Sequence, residues 1–403
     1  MKNIINTLEL ERLLTERDSS IFTDDLNQLS DYLNNRVKSS SFVVLGGGGT
    51  IGQSVVKQIL RRNPRKLHVI DINENALTEL TRDLRSSNIK FQSDYRTIVC
   101  DIGSQIFQTY LYSQPAFDFI LNFTALKHVR SERDPYSLAR MIEVNILNTI
   151  KTLNFAQDLG VKNYFCVSTD KATNPTNLMG ASKRIMELFL MRHASEVSIS
   201  TARFANVAFS DGSLPFGFLK RLEKKQPLTV PIDIKRYFIT REEAGELCLM
   251  SCLLGENMEI FFPKQTSTLY AKGFYEIAIA LLNEFNLKPI ECFSEVDAKN
   301  LMSQVNLKKE WPLLISKTDT TGEKNIEEFF THDERVNFDK FSSVGIIKPE
   351  AIIDRDLLHH FELNTSDLEV LSRYNKSQVI KLFKTLLPNL NHLETGKNLE
   401  GKM

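Results

Sequence analysis

The sequence has no excess of either charge: 50 Lys and Arg balance 50 Asp and Glu. That removes the electrostatic basis for binding nucleic acid or an anionic membrane surface, both of which need clustered cationic side chains. No nucleic-acid partner is expected, and an anionic ligand must be held by local charge. Cysteine is scarce, with 5 residues in 403. The number is odd, and Cys100, Cys166, Cys248, Cys252 and Cys292 form no Cys-x-x-Cys pair. Cys248 and Cys252 are spaced as on one helix face but have no Cys or His motif beside them, so no metal is expected and reduced, buried thiols are. No apolar run approaches the ~20 residues that span a bilayer, and the acidic-basic N-terminus is not a signal peptide. These absences predict a cytoplasmic protein with no membrane partner. What remains is ordinary: 42% hydrophobic and 25% charged residues, enough for a sizeable core in two or three domains.

Leucine stripes at Leu8, Leu10, Leu13 and Leu14, and at Leu26, Leu29 and Leu33, predict an N-terminal helical arm over residues 1–38. From Phe42 the pattern becomes βαβ alternation. Strands are expected over 42–45, 66–70, 96–100, 117–121, 164–167 and 198–204, and helices over 51–62, 76–84, 141–159 and 182–193. Strands alternating with helices imply a parallel sheet covered on both faces, a doubly wound Rossmann domain over 39–210. Beyond it Pro215, Pro227, Pro231 and Pro263 break the chain into shorter pieces. A smaller C-terminal substrate-binding α/β domain over 211–403 is expected there, with a surface loop over 320–345 and a frayed last ten residues.

The phosphate loop is Gly46-Gly47-Gly48-Gly49-Thr50-Ile51-Gly52, with Gly46, Gly49 and Gly52 in GxxGxxG spacing. It follows a predicted strand and opens a predicted helix, the arrangement that aims helix N–H groups at a pyrophosphate. Glycine lets the backbone approach the phosphates where a Cβ would not. Asp71, at the end of the second strand, is the acidic residue expected about 20 residues on. Its carboxylate suits two ribose hydroxyls and repels a 2′-phosphate, which favours NAD over NADP. Asp101 and Ile102 sit where adenine usually lies; the alternative for Asp101 is a strand-end cap.

The GxxGxxG spacing resembles the short-chain dehydrogenase/reductase superfamily. In that superfamily a strand-end Ser or Thr precedes Tyr-x-x-x-Lys on the next helix. Here Lys183 stands in place but Met179 replaces the tyrosine, and a thioether can neither accept nor deliver that proton. The segment Ser168-Thr169-Asp170-Lys171-Ala172 through Gly180-Ala181-Ser182-Lys183 resembles the nucleotide-sugar 4,6-dehydratases of bacterial polysaccharide and nonulosonate biosynthesis. Met at the tyrosine position resembles the branch that retains configuration at C5. Further segments resemble the same family: Asn122 to Val129, including Ala125, Lys127 and His128; Glu143-Val144-Asn145; Ala202 to Val207, including Asn206; Lys235 to Thr240, including Arg236; and Thr318-Asp319-Thr320-Thr321-Gly322-Glu323-Lys324. Ala205 departs from the family's glycine, which touches the sugar fit rather than the reaction class.

The resemblance implies an enzyme that oxidises a hexose at C4 through bound NAD, eliminates water across C5 and C6, and returns the hydride to C6. The substrate implied is UDP- or GDP-N-acetylglucosamine, and the legionaminic acid type is the nearest resemblance. Asp170 is the expected acid for the C6 hydroxyl and Lys171 the expected C5 base, which requires a lowered amine pKa supplied by burial and nearby Lys183. Thr169 would hydrogen-bond the C4 oxygen, and Lys183 would hold the nicotinamide ribose. Lys127, His128, Asn206 and Arg236 are expected at the substrate, although Lys127 and Arg236 also read as ordinary solvated charges. A homodimer through long helices is expected from the superfamily. The alternatives are a 4-epimerase or ketoreductase on the same fold, and a non-catalytic binding homologue.

Overall fold

The computed structural model describes residues 7–265, 269–318, 322–349 and 354–392. Asp319, Thr320 and Thr321 of the C-terminal motif, and the last ten residues, lie outside the described residues. The chain opens with α1 (Thr7–Thr15), α2 (Thr23–Gln28) and α3 (Ser30–Lys38). The alternating region follows: β1 (Ser41–Leu45), α4 (Thr50–Leu60), β2 (Lys66–Asp71), α5 (Glu74–Ser86), β3 (Asp94–Val99), α6 (Gln105–Tyr112) and β4 (Phe119–Asn122). Then come α7 (Pro135–Ile142), α8 (Asn148–Asp158), β5 (Asn163–Val167), α9 (Leu178–Arg192) and β6 (Ser198–Ala202). These strands pair in parallel in the order β3-β2-β1-β4-β5-β6, a doubly wound Rossmann sheet. β1 is buried at every residue, as expected of a strand covered on both faces.

The expected helix over 141–159 starts earlier. Asp134 caps it and Pro135 opens it, and a π-helical turn over Glu143–Leu147 joins α7 to α8. That turn swings Asn145 toward the β4 loop, where Oδ1 accepts from the Leu126 N–H at 2.9 Å and Nδ2 donates to the Leu126 carbonyl at 3.0 Å and to Ser182 Oγ at 2.9 Å. π turns of this kind recur at functional sites.

Past β6 the chain forms β7 (Asn206–Val207), α10 (Leu214–Glu223), β8 (Leu228–Pro231), β9 (Lys235–Arg236), β10 (Phe238–Ile239) and α11 (Arg241–Leu254). It continues through β11 (Ile260–Pro263), β12 (Lys272–Gly273), α12 (Phe274–Glu284), β13 (Lys288–Cys292), α13 (Glu295–Gln304) and β14 (Glu310–Ser316). β15 (Val336–Asn337), β16 (Val344–Ile347), α14 (Arg355–Thr365), α15 (Leu368–Leu371) and α16 (Lys376–Leu386) follow. The β13-β14-β8 sheet packs with α10 and α12 around Phe218, Leu228, Leu281 and Leu313.

The large sheet does not stop at residue 210. β11 joins β6 in parallel, and β16 and β15 extend it antiparallel to nine strands, while α11 packs on α4. The expected boundary at 210 is therefore corrected: the chain leaves the Rossmann layer there and returns to it. The N-terminal arm, marked in the sequence by two leucine stripes, folds as three helices. Leu10 and Leu14 join the core around β8 and α12, and Phe22, Leu33 and Val37 join the core beneath β1. The C-terminal helices lay Leu358, Phe361, Val379 and Phe383 against Met141 and Ile142 of α7 and Ile185 and Phe189 of α9.

Candidate active site

The glycine loop leaves β1 and enters α4. Gly46 has φ +75°, and a Cβ there would stand 2.8 Å from the Thr124 nitrogen. A Cβ on Gly52 would stand 2.3 Å from the Gly46 carbonyl oxygen. Both positions need glycine for the turn and for helix-to-loop packing, which leaves the first N–H groups of α4 facing outward. Asp71 closes the side of the loop: its Oδ2 accepts from the Gly48 N–H at 2.8 Å and its Oδ1 from the Asn73 N–H at 2.8 Å.

Asp101 is engaged with protein. Its Oδ1 accepts from the Gly103 N–H at 2.8 Å and its Oδ2 from Arg140 at 2.8 Å, and these contacts hold its carboxyl below the usual range against the opposing effect of burial. It caps the end of the third strand, the alternative raised from the sequence, with Ile102 buried beside it.

The central segment runs from β5 into α9. The Ser168 and Asp170 N–H groups donate to the carbonyls of Ala202 and Phe204, so the turn is pinned to the strand next door. Thr169 Oγ1 donates to Asp170 Oδ1 at 2.9 Å and accepts from the Lys171 N–H at 3.3 Å. Lys171 Nζ reaches the same carboxylate oxygen at 3.1 Å and Asn206 Oδ1 at 3.5 Å. Gly180 lets α9 close on this turn, since a Cβ there would sit 2.3 Å from the Lys171 carbonyl. Asn177 caps α9 through the Gly180 N–H at 2.7 Å.

One cleft of ≈ 360 Å³ gathers these pieces. The phosphate-loop residues Gly46, Gly49, Thr50, Ile51 and Gly52 form one end, with Ala125, Lys127 and His128 along a wall. Thr169, Asp170, Lys171, Met179, Lys183 and Asn206 form the other end. Asp71 and Asp101 stand outside it, beyond the loop end. Met179 is 4% exposed and turns toward the cleft, while its N–H donates to Glu132 Oε1 at 2.9 Å. Lys183 Nζ lies 3.0 Å from Met186 Sδ, and burial pushes its ammonium below the ordinary range, against the pull of Cys166 and Glu187. Lys127 is exposed at the mouth of the cleft, yet partial loss of solvent lowers it too, with Asp211 opposing.

Two expectations are corrected here. Lys171 is not a lowered amine in the free protein. Burial pushes it down, but the carboxylates of Asp170 and Glu327 outweigh burial and raise it; Arg236, not Lys183, is the cation that opposes them. Arg236 does not line the cleft. It is buried, pairs with Glu323 Oε2 at 2.6 Å, and donates to the carbonyls of Lys324 and Asn325 at 2.9 and 3.2 Å. Its role is to hold residues 322–327 against the site.

Those residues were expected in a surface loop, and they are not one. Gly322 takes hydrogen bonds from Thr176 and Asn177, and Lys324 Nζ donates to the Thr173 carbonyl at 2.8 Å. Glu327, which the sequence reading did not single out, is buried 3.7 Å from Lys171 Nζ. The signal available was alternation: Glu327 and Phe329 point inward while Ile326 and Glu328 are exposed, the period of an extended segment lying on a core.

Among the described residues no group of three or more His, Cys, Asp and Glu is placed to hold a metal ion. No helix among them is long and apolar enough to cross a membrane.

A parallel sheet in this strand order, with a glycine turn at its carboxyl edge and a Ser-Thr-Asp-Lys turn facing it, is the fold of solved nucleotide-sugar dehydratases and epimerases. A family profile described as polysaccharide biosynthesis protein matches residues 42–349, and the chain belongs to that family. The chain is similar to an uncharacterized membrane protein of Methanocaldococcus jannaschii, 29% identical over 363 residues, covering 88% of this chain and 98% of that one. It is similar to UDP-N-acetylglucosamine 4,6-dehydratase (inverting) of Campylobacter jejuni, 26% identical over 233 residues, 56% of this chain and 66% of that one. The fold is that of DesIV, a dTDP-glucose 4,6-dehydratase from Streptomyces venezuelae solved with NAD bound: TM-score 0.54, 18% identity, 72% of this chain and 88% of that one.

Proposed function

We propose that this protein is a nucleotide-sugar 4,6-dehydratase that converts UDP- or GDP-N-acetylglucosamine to the 4-keto-6-deoxy sugar with C5 configuration retained. The carrying observation is the Thr169-Asp170-Lys171 turn, which opens into the same cleft as the glycine loop. The loop fits a dinucleotide: Gly46 and Gly52 allow the tight turn that brings the start of α4 to the cleft, where either side chain would strike neighbouring backbone. Asp71, on the edge of that loop, suits a ribose diol, which favours NAD over NADP. A nicotinamide held here supplies a reversible hydride acceptor, returned to its starting state each cycle.

The chain's own residues do the rest. Thr169 Oγ1 hydrogen-bonds the sugar C4 oxygen. Asp170, enclosed by the cleft, delivers a proton to the departing C6 hydroxyl. Lys171 in its neutral form takes the C5 proton. Lys183 holds the nicotinamide ribose, and Lys127, His128 and Asn206 orient the nucleotide sugar. Met179 leaves the usual tyrosine position without a transferable proton, which speaks against a simple 4-epimerase or ketoreductase. The test is incubation of the purified protein with UDP- and GDP-N-acetylglucosamine in turn. The expected product is lighter by one water with no net change in NADH absorbance. Net NADH consumption would mark a ketoreductase, an unchanged mass with a new C4 configuration an epimerase, and no turnover a binding homologue.

A further inference from the structure

Glu327 is a buried carboxylate, 4% exposed, that does not line the cleft yet faces its amine. Its Oε1 is 3.7 Å from Lys171 Nζ and 3.9 Å from Arg236 Nη2, and its Oε2 is 3.8 Å from Lys324 Nζ. Asp170 stands on the other side of the same amine at 3.1 Å. These four groups, Lys171, Asp170, Arg236 and Lys324, are the charges that face it. Glu327 Oε2 is buried and accepts no hydrogen bond among the described residues. Asp170 differs, since its carboxylate accepts from Thr169. A carboxylate with an unsolvated oxygen is the better resting place for a proton, and burial does push Glu327 above its ordinary range, with Asp170 adding and Lys171, Arg236 and Lys324 opposing.

We propose that Glu327 is a positioning residue that takes the proton of Lys171 and so frees the amine to act as the C5 base. The inference rests on the dehydratase reading and names the missing partner in it. The step balances without a co-reactant. One N–H bond of the Lys171 ammonium breaks, one O–H bond forms on Glu327, and a charged pair becomes a neutral amine and a neutral acid. Asp170 enters the step already protonated, as the acid for the leaving hydroxyl, so it cannot take a second proton and the ammonium's proton goes to Glu327. Glu327 can take it, because it does not line the cleft. The arrangement also reconciles a resting Lys171 that is held charged with a reaction that needs it neutral.

The experiment compares wild type, Glu327→Gln and Glu327→Asp, following exchange of the C5 hydrogen with deuterated solvent and product formation from about pH 6 to about pH 9. With the acceptor present the wild-type rate should be nearly flat across neutral pH. In Glu327→Gln the amine must lose its proton to solvent, so exchange should fall at least about ten-fold at neutral pH and climb about ten-fold per pH unit. Glu327→Asp should recover part of the rate and the flat profile. A Gln variant that keeps the wild-type rate, or loses rate without gaining a pH slope, overturns the proposal and leaves Glu327 a packing residue. Wild-type protein that neither exchanges C5 hydrogen nor dehydrates either donor overturns the dehydratase reading itself, and this inference with it. Melting temperature and nucleotide affinity of each variant separate loss of fold from loss of the acceptor.

Discussion

Arg203 lies across the carboxylate of Glu187, Nε 3.0 Å from one oxygen and Nη2 2.8 Å from the other, with both residues buried. Glu334 closes the far side of the guanidinium at 2.8 Å, and Ser168 Oγ donates to Glu187 at 2.6 Å. This network sits under the Ser168 turn and fixes the height of the residues above it. Removing the cation leaves the buried Glu187 and the half-buried Glu334 sharing Arg184 alone, at 2.8 and 3.2 Å, which costs more than the intact pair contributes. Arg203→Met should destabilise the protein by about 3–5 kcal/mol, read as a lowered denaturant midpoint. A loss of under about 1 kcal/mol would show that the carboxylates find other partners.

The glycine loop gives a second test. Gly52→Ala forces a methyl against the Gly46 carbonyl, where the contact would be 2.3 Å. The loop must shift, and the N–H groups of α4 move with it. Dinucleotide affinity measured by calorimetry should fall at least about ten-fold, or roughly 1.4 kcal/mol. Unchanged affinity would move the cofactor site elsewhere.

The acid and the amine are tested separately. Asp170→Asn retains shape and removes the proton; Lys171→Met retains the stem and removes the base. Each should lower dehydration by about 100-fold or more, the usual worth of a general acid or base, with nucleotide affinity little changed. Near-normal turnover in either variant, by mass spectrometry of the product, removes that residue from the mechanism.

A pH effect follows from the arm. Glu246 on α11 is buried, hydrogen-bonded by Ser20 at 2.5 Å, and burial pushes it up to about 7, helped by Glu242 and Glu243. Between its ordinary value of 4.5 and about 7 the folded protein keeps this proton and the unfolded chain releases it. Rising pH therefore favours the unfolded chain through that window. Glu246→Gln should gain stability relative to wild type as pH rises from 4.5 to 7, by up to roughly 3 kcal/mol, and level off above. A constant difference across that range in denaturation curves would place the proton elsewhere.

The parts of the fold that were legible from sequence are those where one local period dominates. The strands from β1 to β6 were expected within about two residues of their bounds because each is a short run with apolar or β-branched residues between helical segments. The cleft residues on the glycine loop and on the Ser168–Lys183 segment were legible because both segments run from a strand end into a helix, where residue types at fixed spacing carry the pattern. Long-range pairing was not legible. β11 is four residues ending in a proline, and nothing local says that Phe261 meets Ala202. Arg236 and Glu327 failed for the same reason in opposite directions. A charge in sequence looks solvated until the chain that buries it is in place, and the segments that cover both residues arrive from more than 80 positions away.

The apolar flank that α7 and α9 turn away from the sheet is filled by α14 to α16 of the same chain. His392 and Lys376 reach over it to Glu132, at 3.3 and 3.8 Å, and Glu132 in turn holds the first turn of α9. A neighbouring subunit seeking that flank would meet a tenant already in residence. Self-association must recruit other ground or first evict the tail, and eviction would loosen the backbone that presents Met179.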